Sequence, residues 1–359
     1  MKLTQLLVFV CIFSYTAIAS KTDSNFSKKS LLVLPIAYYT PETNWAFGIG
    51  GIGYYNFGKN RSETRPSSAY FYASYTLNNQ LVVDLPFHIF SNKEKWYAAG
   101  EIAVYDFPFN YYGVGCGIDP NNSESYELQQ QKFNLTIYRK AKSNWYAGPR
   151  FFLDRLSEID YNEHGRISML NINGIDGGIS TGIGASILYD SRKNVYCPKK
   201  GWFLDIGYLN YAKGAFNITG FHNIRADIRH YTQISKTTVL ATNFFGNFNI
   251  GEVPFYMLSE FGGLFRMRGY YRGAYRDKNV MLLQTEIRQD IIGRFGITFF
   301  GGFATVFSDL EALKTNPLKP SGGIGIRFKI NRKEDIPIRA DFGFGKGFHG
   351  NYITTGEAY

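Results

Sequence analysis

Gly262-Gly263-Leu264-Phe265-Arg266-Met267-Arg268-Gly269-Tyr270-Tyr271-Arg272-Gly273-Ala274-Tyr275-Arg276-Asp277 is too basic and too rich in glycine for a strand or a helix. Its four glycines free the backbone for tight turns and positive φ. Between them stand Arg266, Arg268, Arg272 and Arg276, interleaved with Phe265, Tyr270, Tyr271 and Tyr275. A loop this cationic needs anionic partners or water. The segments on either side decide which kind of scaffold supplies them.

Those segments, and most of the chain, alternate with a period of two, the repeat of a strand with two unlike faces. Leu81, Val83, Leu85 and Phe87 alternate with Val82, Asp84, Pro86 and His88. Phe133, Leu135 and Ile137 alternate with Lys132, Asn134, Thr136 and Tyr138. Ile224, Ala226 and Ile228 alternate with Asn223, Arg225, Asp227 and Arg229. Charges recurring on one face imply a polar, wet interior and not the dry core of a soluble sandwich, where they would be costly. About 16 strands can be counted, an even number as closed bacterial barrels require. They begin near residues 31, 46, 68, 80, 95, 129, 144, 178, 201, 220, 237, 279, 294, 321, 336 and 350. Even-numbered strands run mostly into short polar turns, whereas odd-numbered ones run into several long loops near 107–128, 154–177, 250–278 and 307–320. Short periplasmic turns opposite long extracellular loops are the mark of an outer-membrane barrel. The arginine-rich stretch is then the sixth extracellular loop.

Composition agrees. Aromatic residues make up 17% of the chain and glycines number 38, while hydrophobic content is an ordinary 45%. No apolar run after the first residues reaches the roughly 18 residues of a spanning helix. Residues 1–20 read as a secretory leader: Lys2, an apolar run from Leu6 to Phe13, and Ala17-Ile18-Ala19 for cleavage. Residues 21–30 read as a short periplasmic tail and 31–359 as the barrel. The net charge of +10 is spread over turns such as Lys93-Lys95, Arg139-Lys140-Lys142 and Lys199-Lys200. No recognition-helix pattern or zinc-finger spacing accompanies it, which argues against nucleic acid. Basic barrel ends can meet anionic head groups, so outer-membrane lipids are an expected partner.

The core Met267-Arg268-Gly269-Tyr270 resembles the (Val/Ile)-Arg-Gly-(Phe/Tyr) signature of the BamA/TamA superfamily, the bacterial surface antigen barrels. Other stretches resemble that family in order. Tyr39-Thr40-Pro41-Glu42-Thr43-Asn44-Trp45-Ala46-Phe47-Gly48 is similar to its first hairpin, and Tyr189-Asp190-Ser191-Arg192-Lys193-Asn194, followed by Pro198-Lys199-Lys200-Gly201, to a later turn. Leu283-Gln284-Thr285-Glu286-Ile287-Arg288 is similar to the strand after the signature loop, and the chain closes on the aromatic Tyr359. The resemblance implies a transmembrane, 16-stranded antiparallel β-barrel whose sixth extracellular loop folds inward, in the bacterial outer membrane. The space before Leu31 holds no POTRA domain of roughly 75 residues, so the resemblance is to a branch lacking them.

The resemblance also implies a lock. In the family the loop arginine is held by a glutamate and an aspartate on the inner wall. Arg268 maps to that arginine, with Gly269 and Tyr270 beside it, and Glu286 to the glutamate. The aspartate is missing, because Phe300-Gly301-Gly302-Phe303-Ala304 stands in its place. Either Glu286 alone holds the loop, or Asp341 or Asp309 substitutes for the aspartate, or the loop is looser here. The implied work is insertion of other outer-membrane proteins, or passage of substrates, at a weak seam between the first strand, Leu31 to Tyr39, and the last, Gly350 to Tyr359. Partners would be client outer-membrane proteins and periplasmic or lipoprotein accessory subunits. No cofactor and no covalent chemistry is implied.

Two other function classes leave marks in the sequence. A loop this long could gate a transport channel. Gly178-Ile179-Ser180-Thr181-Gly182 matches a nucleophile elbow, and so an outer-membrane lipase, but it opens a glycine-rich strand with no helix after it. Gly48-Ile49-Gly50-Gly51-Ile52-Gly53 fits a dinucleotide fingerprint, again without the helix that would confirm one. The histidines at 88, 164, 222, 230 and 349 have no metal-ligand spacing. Cys116 falls in an outer loop and Cys197 in a periplasmic turn, some 25 Å apart across the apolar band, so two free thiols are expected.

Overall fold

Alternation with a period of two along nearly the whole chain leaves it one way to hide its backbone in a bilayer, by pairing each strand with the next. The computed structural model describes residues 29–40, 44–57, 63–77, 79–169, 173–195, 197–214, 216–331 and 336–359. The leader and tail read from residues 1–28 lie outside them. Sixteen strands form one sheet in chain order: β1 (Lys29–Thr40), β2 (Asn44–Tyr55), β3 (Ser67–Thr76), β4 (Leu81–Phe90), β5 (Trp96–Tyr111), β6 (Glu124–Lys142), β7 (Trp145–Asp160), β8 (Gly178–Asp190), β9 (Gly201–Tyr211), β10 (Phe221–Gln233), β11 (Thr238–Gly251), β12 (Asn279–Ile292), β13 (Phe295–Phe307), β14 (Lys319–Asn331), β15 (Ile336–Gly345) and β16 (Phe348–Thr355). Neighbours pair antiparallel throughout, for example Phe221↔Gly251 to Gln233↔Val239 between β10 and β11. The expected strand starts fall close to these. The largest departure is β6, which starts at Glu124, because Tyr126 and Leu128 continue its inward face into the loop.

The faces are those of a membrane wall. Ile183, Ile187, Ile206, Leu283, Ile287, Phe299, Phe303, Ile326, Phe342 and Ile353 are exposed on the outside. Asp154, Asp227, Glu286, Arg288, Arg327, Arg339 and Asp341 are buried inside. The interior is less wet than the alternation suggests. Aromatic and aliphatic side chains fill much of it, as in the cluster of Tyr97, Tyr138, Tyr146, Phe90 and Leu188 and that of Tyr112, Cys116, Phe261, Met267, Tyr270 and Tyr275. Alternation tells which residues face inward but not how far loops and turns reach in to cover them.

The segments 112–123, 161–177, 252–278 and 308–318 all lie at one end of the sheet, and the tight turns 143–144, 234–237 and 293–294 at the other. Two arginines at the short-turn end, Arg65 before β3 and Arg192 before β9, are buried. Arg65 bonds Glu94 at 2.9 Å and Asp190 at 2.6 Å, and Arg192 bonds Asp190 at 2.9 Å. Burial pushes the Glu94 carboxyl up, but the hydrogen bond and charge of Arg65 outweigh it and hold Glu94 below the usual carboxylate range.

β1 and β16 are the two ends of the pairing order, and no ladder joins them among the described residues. One expectation at this seam needs correction. The last strand does not run on to Tyr359 but ends at Thr355. Gly356, at φ +79°, turns the chain, and its N–H donates to the Pro337 carbonyl at 2.8 Å. Ala358 and Tyr359 then enter the lumen against Tyr231 and Ala241. The Tyr359 hydroxyl donates to the Ala241 carbonyl at 3.3 Å, and Glu357 accepts from Arg327 at 3.0 Å. An acid and an aromatic both find partners inside that the lipid face would deny them.

Two predictions follow from the placement of loops and turns. A tag inserted beside the exposed Asn121, in the 112–123 loop, is expected to bind antibody on intact cells. Labelling only after permeabilisation would invert the topology. Cys116 sits inside, its Sγ 3.2 Å from the Val306 carbonyl, and Cys197 sits at the short-turn end. Neither is in a disulfide, so a non-reducing mass measurement of unfolded protein is expected to find two thiols, both open to alkylation.

Candidate functional site: a loop locked inside the barrel

The long 252–278 loop re-enters the barrel through a short neck in which Ser259–Phe261 pairs with Tyr275–Asp277. Phe261 and Tyr275 stack across it with centroids 5.2 Å apart. The Ser259 hydroxyl donates to the Lys278 carbonyl at 2.8 Å and accepts from Asn249 at 3.0 Å, which ties the neck to β11. Beyond the neck the tip carries Met267, Arg268 and Tyr270, all at most 1% exposed.

Arg268 is the centre of the site. One terminal nitrogen donates to Glu286 on β12 and the other to Asp341 on β15. Its guanidinium lies 3.7 Å over the Phe300 ring on β13, a cation–π contact worth about 2 kcal/mol when desolvated. The carboxylates are shared. Glu286 also accepts from Arg288 at 2.8 Å, and Asp341 from Arg327 at 2.5 Å and Arg339 at 2.9 Å. Glu357 completes the group, 3.0 Å from Arg327 and 3.7 Å from Arg288. Buried charges survive only when paired in this way.

Of the four arrangements that the missing aspartate left open, the structure has Asp341 in its place. Asp309 is elsewhere: it accepts from the N–H groups of Glu311 and Ala312, both at 2.9 Å, and caps the helix Leu310–Thr315. Where the aspartate would stand, β13 offers the Phe300 ring. The negative charge has moved two strands along, to a place that the same guanidinium reaches with its other nitrogen.

The backbone makes the rest of the joint. Gly269 has φ +109°, and a Cβ there would lie 2.5 Å from the Phe344 backbone; a Cβ on Gly343 would lie 2.6 Å from Arg268. The tip rests main chain against main chain on β15, which only glycine permits. The Tyr270 ring lies over Gly345, and its hydroxyl donates to the Pro320 carbonyl at 2.7 Å and accepts from the Lys346 N–H at 3.1 Å.

Sequence reasoning missed Arg327 and Arg339, which share Asp341, and two residues that hold the loop tip by hydrogen bonds. Gln284 accepts from the Met267 N–H at 3.0 Å and donates to the Phe265 carbonyl at 3.0 Å, gripping the loop on both sides of Arg266. Its place two residues before Glu286, hence on the same inner face, could have found it. The Tyr352 hydroxyl on β16 accepts from the Gly269 N–H at 3.1 Å. Nothing in the local sequence marks it.

The other loop arginines part company. Arg266 covers Phe245 at 3.6 Å, Arg276 donates to the Tyr126 hydroxyl at 3.1 Å, and Arg272 pairs with Glu260 within the loop at 2.8 Å while half exposed. Of the seam residues, Leu31 and Tyr39 lie on β1, and Gly350, on β16, pairs with Gly343 beside the loop tip. Ser180 is part of a strand and donates to the Tyr256 hydroxyl at 3.1 Å. His88 meets Tyr97 at 2.7 Å and His222 meets Tyr208 at 2.8 Å, each alone. Among the described residues no three His, Cys, Asp or Glu side chains are grouped to hold a metal ion.

Residues 46–352 match the Omp85 superfamily domain, and the chain belongs to that superfamily. Among solved structures it is similar to BamA from Haemophilus ducreyi lacking POTRA domains 1–3, at 15% identity and a TM-score of 0.53 over 92% of this chain and 69% of that one. It is similar to CdiB from Acinetobacter baumannii, at 12% identity and a TM-score of 0.56, covering 92% of this chain and 59% of that one. CdiB from Escherichia coli gives 8% identity and a TM-score of 0.54, covering 93% and 63%. At these identities the likeness is one of fold, and the chain spans less than two thirds of either CdiB. No protein of curated function matches.

Arg268→Ala and Glu286→Ala are each expected to loosen the loop by about 2–4 kcal/mol. The double variant is expected to be little worse than the worse single, since both remove one contact. Arg268→Lys should fail like alanine, because an ammonium cannot span two carboxylates as a planar fork does. Arg272→Ala should change little, as exposed pairs do. Protease nicking of the loop in folded, membrane-embedded protein checks all five variants; equal nicking in Arg268→Ala and wild type would remove the lock from the account.

Proposed function

We propose that this protein is an outer-membrane β-barrel that inserts other outer-membrane proteins, or passes substrates across, at the seam between β1 and β16. The observation that carries the reading is that, among the described residues, no ladder joins β1 to β16, in a sheet where every other neighbouring pair is joined. An unpaired strand edge offers a row of N–H and C=O groups, a template on which an incoming strand can pair. The chemistry is exchange of hydrogen bonds, with no bond made or broken in either chain and no cofactor. Partners in this reading are the client proteins and the periplasmic or lipoprotein subunits that deliver them.

A loop-gated channel is the second reading, and the packing of the lumen weighs against it. The loop tip is pinned by Arg268, Gln284 and Tyr352, and apolar clusters surround it. Opening a pore would break a buried charge network, whereas parting the seam breaks none of those contacts. The lipase reading has only Ser180, whose one hydrogen-bond partner found here is a tyrosine.

Depleting the protein and surveying the outer membrane tests this. Selective loss of one or more barrel proteins is the expected result. An unchanged protein inventory, together with ion conductance of the purified protein in planar bilayers, would make it a channel. Lipid hydrolysis abolished by Ser180→Ala would make it an enzyme.

A further inference from the structure

The outer wall at the short-turn end carries side chains that neither the lock nor the seam uses. Trp96 opens β5, Trp145 opens β7 and Trp202 stands at the start of β9. They are 50, 47 and 43% exposed, and all face outward. Tyr189 joins them, its ring 5.0 Å from that of Trp145, and His230 stacks on Trp202 at 4.0 Å. On the side towards the middle of the sheet come Ile137, Ile187 and Ile206, all exposed. On the other side come the turns. The outer surface therefore passes from aliphatic to aromatic to cationic within a few residues, the order of acyl chains, interface and head groups in one leaflet.

The cationic layer is one-sided. Lys93, Lys95, Arg139, Lys142, Lys193 and Lys200 are exposed in and beside the 91–95, 143–144 and 191–200 turns. Among the described residues of those three turns no carboxylate is exposed, because Glu94 and Asp190 are buried and taken by Arg65 and Arg192; the exposed Glu63 stands in the connection before β3. Lys93 has Glu63 at 4.0 Å. Arg139 lies across the ladder from Trp96, its guanidinium 5.7 Å from the ring, and Lys142 lies across from Trp145. The opposite end differs: Asp119, Glu163, Asp176, Asp309 and Glu311 are exposed among its loops.

We propose that the outer wall of β5 to β9 at this end binds the head groups of anionic phospholipids. Arg139, Lys142 and Lys95 hold the phosphates, and Trp96 and Trp145 lie at the glycerol level. The position of the cations selects a lipid over an acidic protein. Arg139 and Lys142 stand on the lipid-facing side, across the ladder from Trp96 and Trp145, and not around the barrel mouth. The proposal needs a barrel in a bilayer and is independent of what crosses the seam.

The test uses the full chain in nanodiscs made of equal parts phosphatidylglycerol and phosphatidylethanolamine with matched acyl chains. Lipids retained after release into mild detergent are counted by native mass spectrometry. Wild type is expected to retain phosphatidylglycerol in excess, and the excess should shrink in high salt. Each of Arg139→Gln and Lys142→Gln should lower it about fivefold, which corresponds to about 1 kcal/mol per surface cation. Lys213→Gln with Lys346→Gln, exposed at the other end, should leave it unchanged. No excess in wild type, or an excess that survives the double Arg139→Gln, Lys142→Gln variant, would overturn the site.

Discussion

Arg268 is placed where an arginine could not stand alone. It is 1% exposed, and an unpaired guanidinium there would cost several kcal/mol. Glu286 and Asp341 remove that cost, and their demands shape the wall. Asp341 needs Arg327 and Arg339 as well as Arg268, and Glu286 needs Arg288. Each of these charges is tolerable only because the others are present. The loop, three strands and the residues after β16 are thus joined by one electrostatic condition.

Neutralisation is only half of the arrangement, because the charges must also be brought within reach. Glycine does this where the tip meets β15, by letting two main chains touch. Gln284 and Tyr352 then fix the height of the tip from β12 and β16. The aromatic packing around Tyr270, Phe261 and Tyr275 excludes water from the neighbourhood. That exclusion strengthens each pairing and raises the penalty for leaving any member unpaired.

The strands were legible because lipid outside and filled lumen inside impose alternation, and because long and short connections alternate too. The loop's destination was legible from four arginines with too few nearby acids and from the motif around Arg268. Asp341 could be named only as one of several candidates, since the residues between β13 and β15 say nothing of which carboxylate a side chain two strands away will reach. Tyr352 acts through a contact that skips 83 residues along the chain, and no local pattern encodes such a partner, whereas Gln284 shares the inner face of Glu286 two residues on. Tyr359 misled for a related reason. An aromatic at the end of an alternating strand suits the membrane interface, but Gly356 intervenes, and one glycine able to take a positive φ redirects everything after it.

The seat of the loop tip also governs the shape of the wall. Arg268 reaches Glu286 on β12 with one nitrogen and Asp341 on β15 with the other, over the ring of Phe300 on β13 between them. A planar fork has a fixed span, so the arc from β12 to β15 has a fixed curvature while the fork is engaged. Tyr352 extends that arc to β16. Flattening or tightening of this quarter of the barrel would pull the fork apart. Elastic strain applied at the seam must therefore be taken up on the other flank, in the strands from β1 onward, and the barrel bends as a hinged sheet with one stiff leaf.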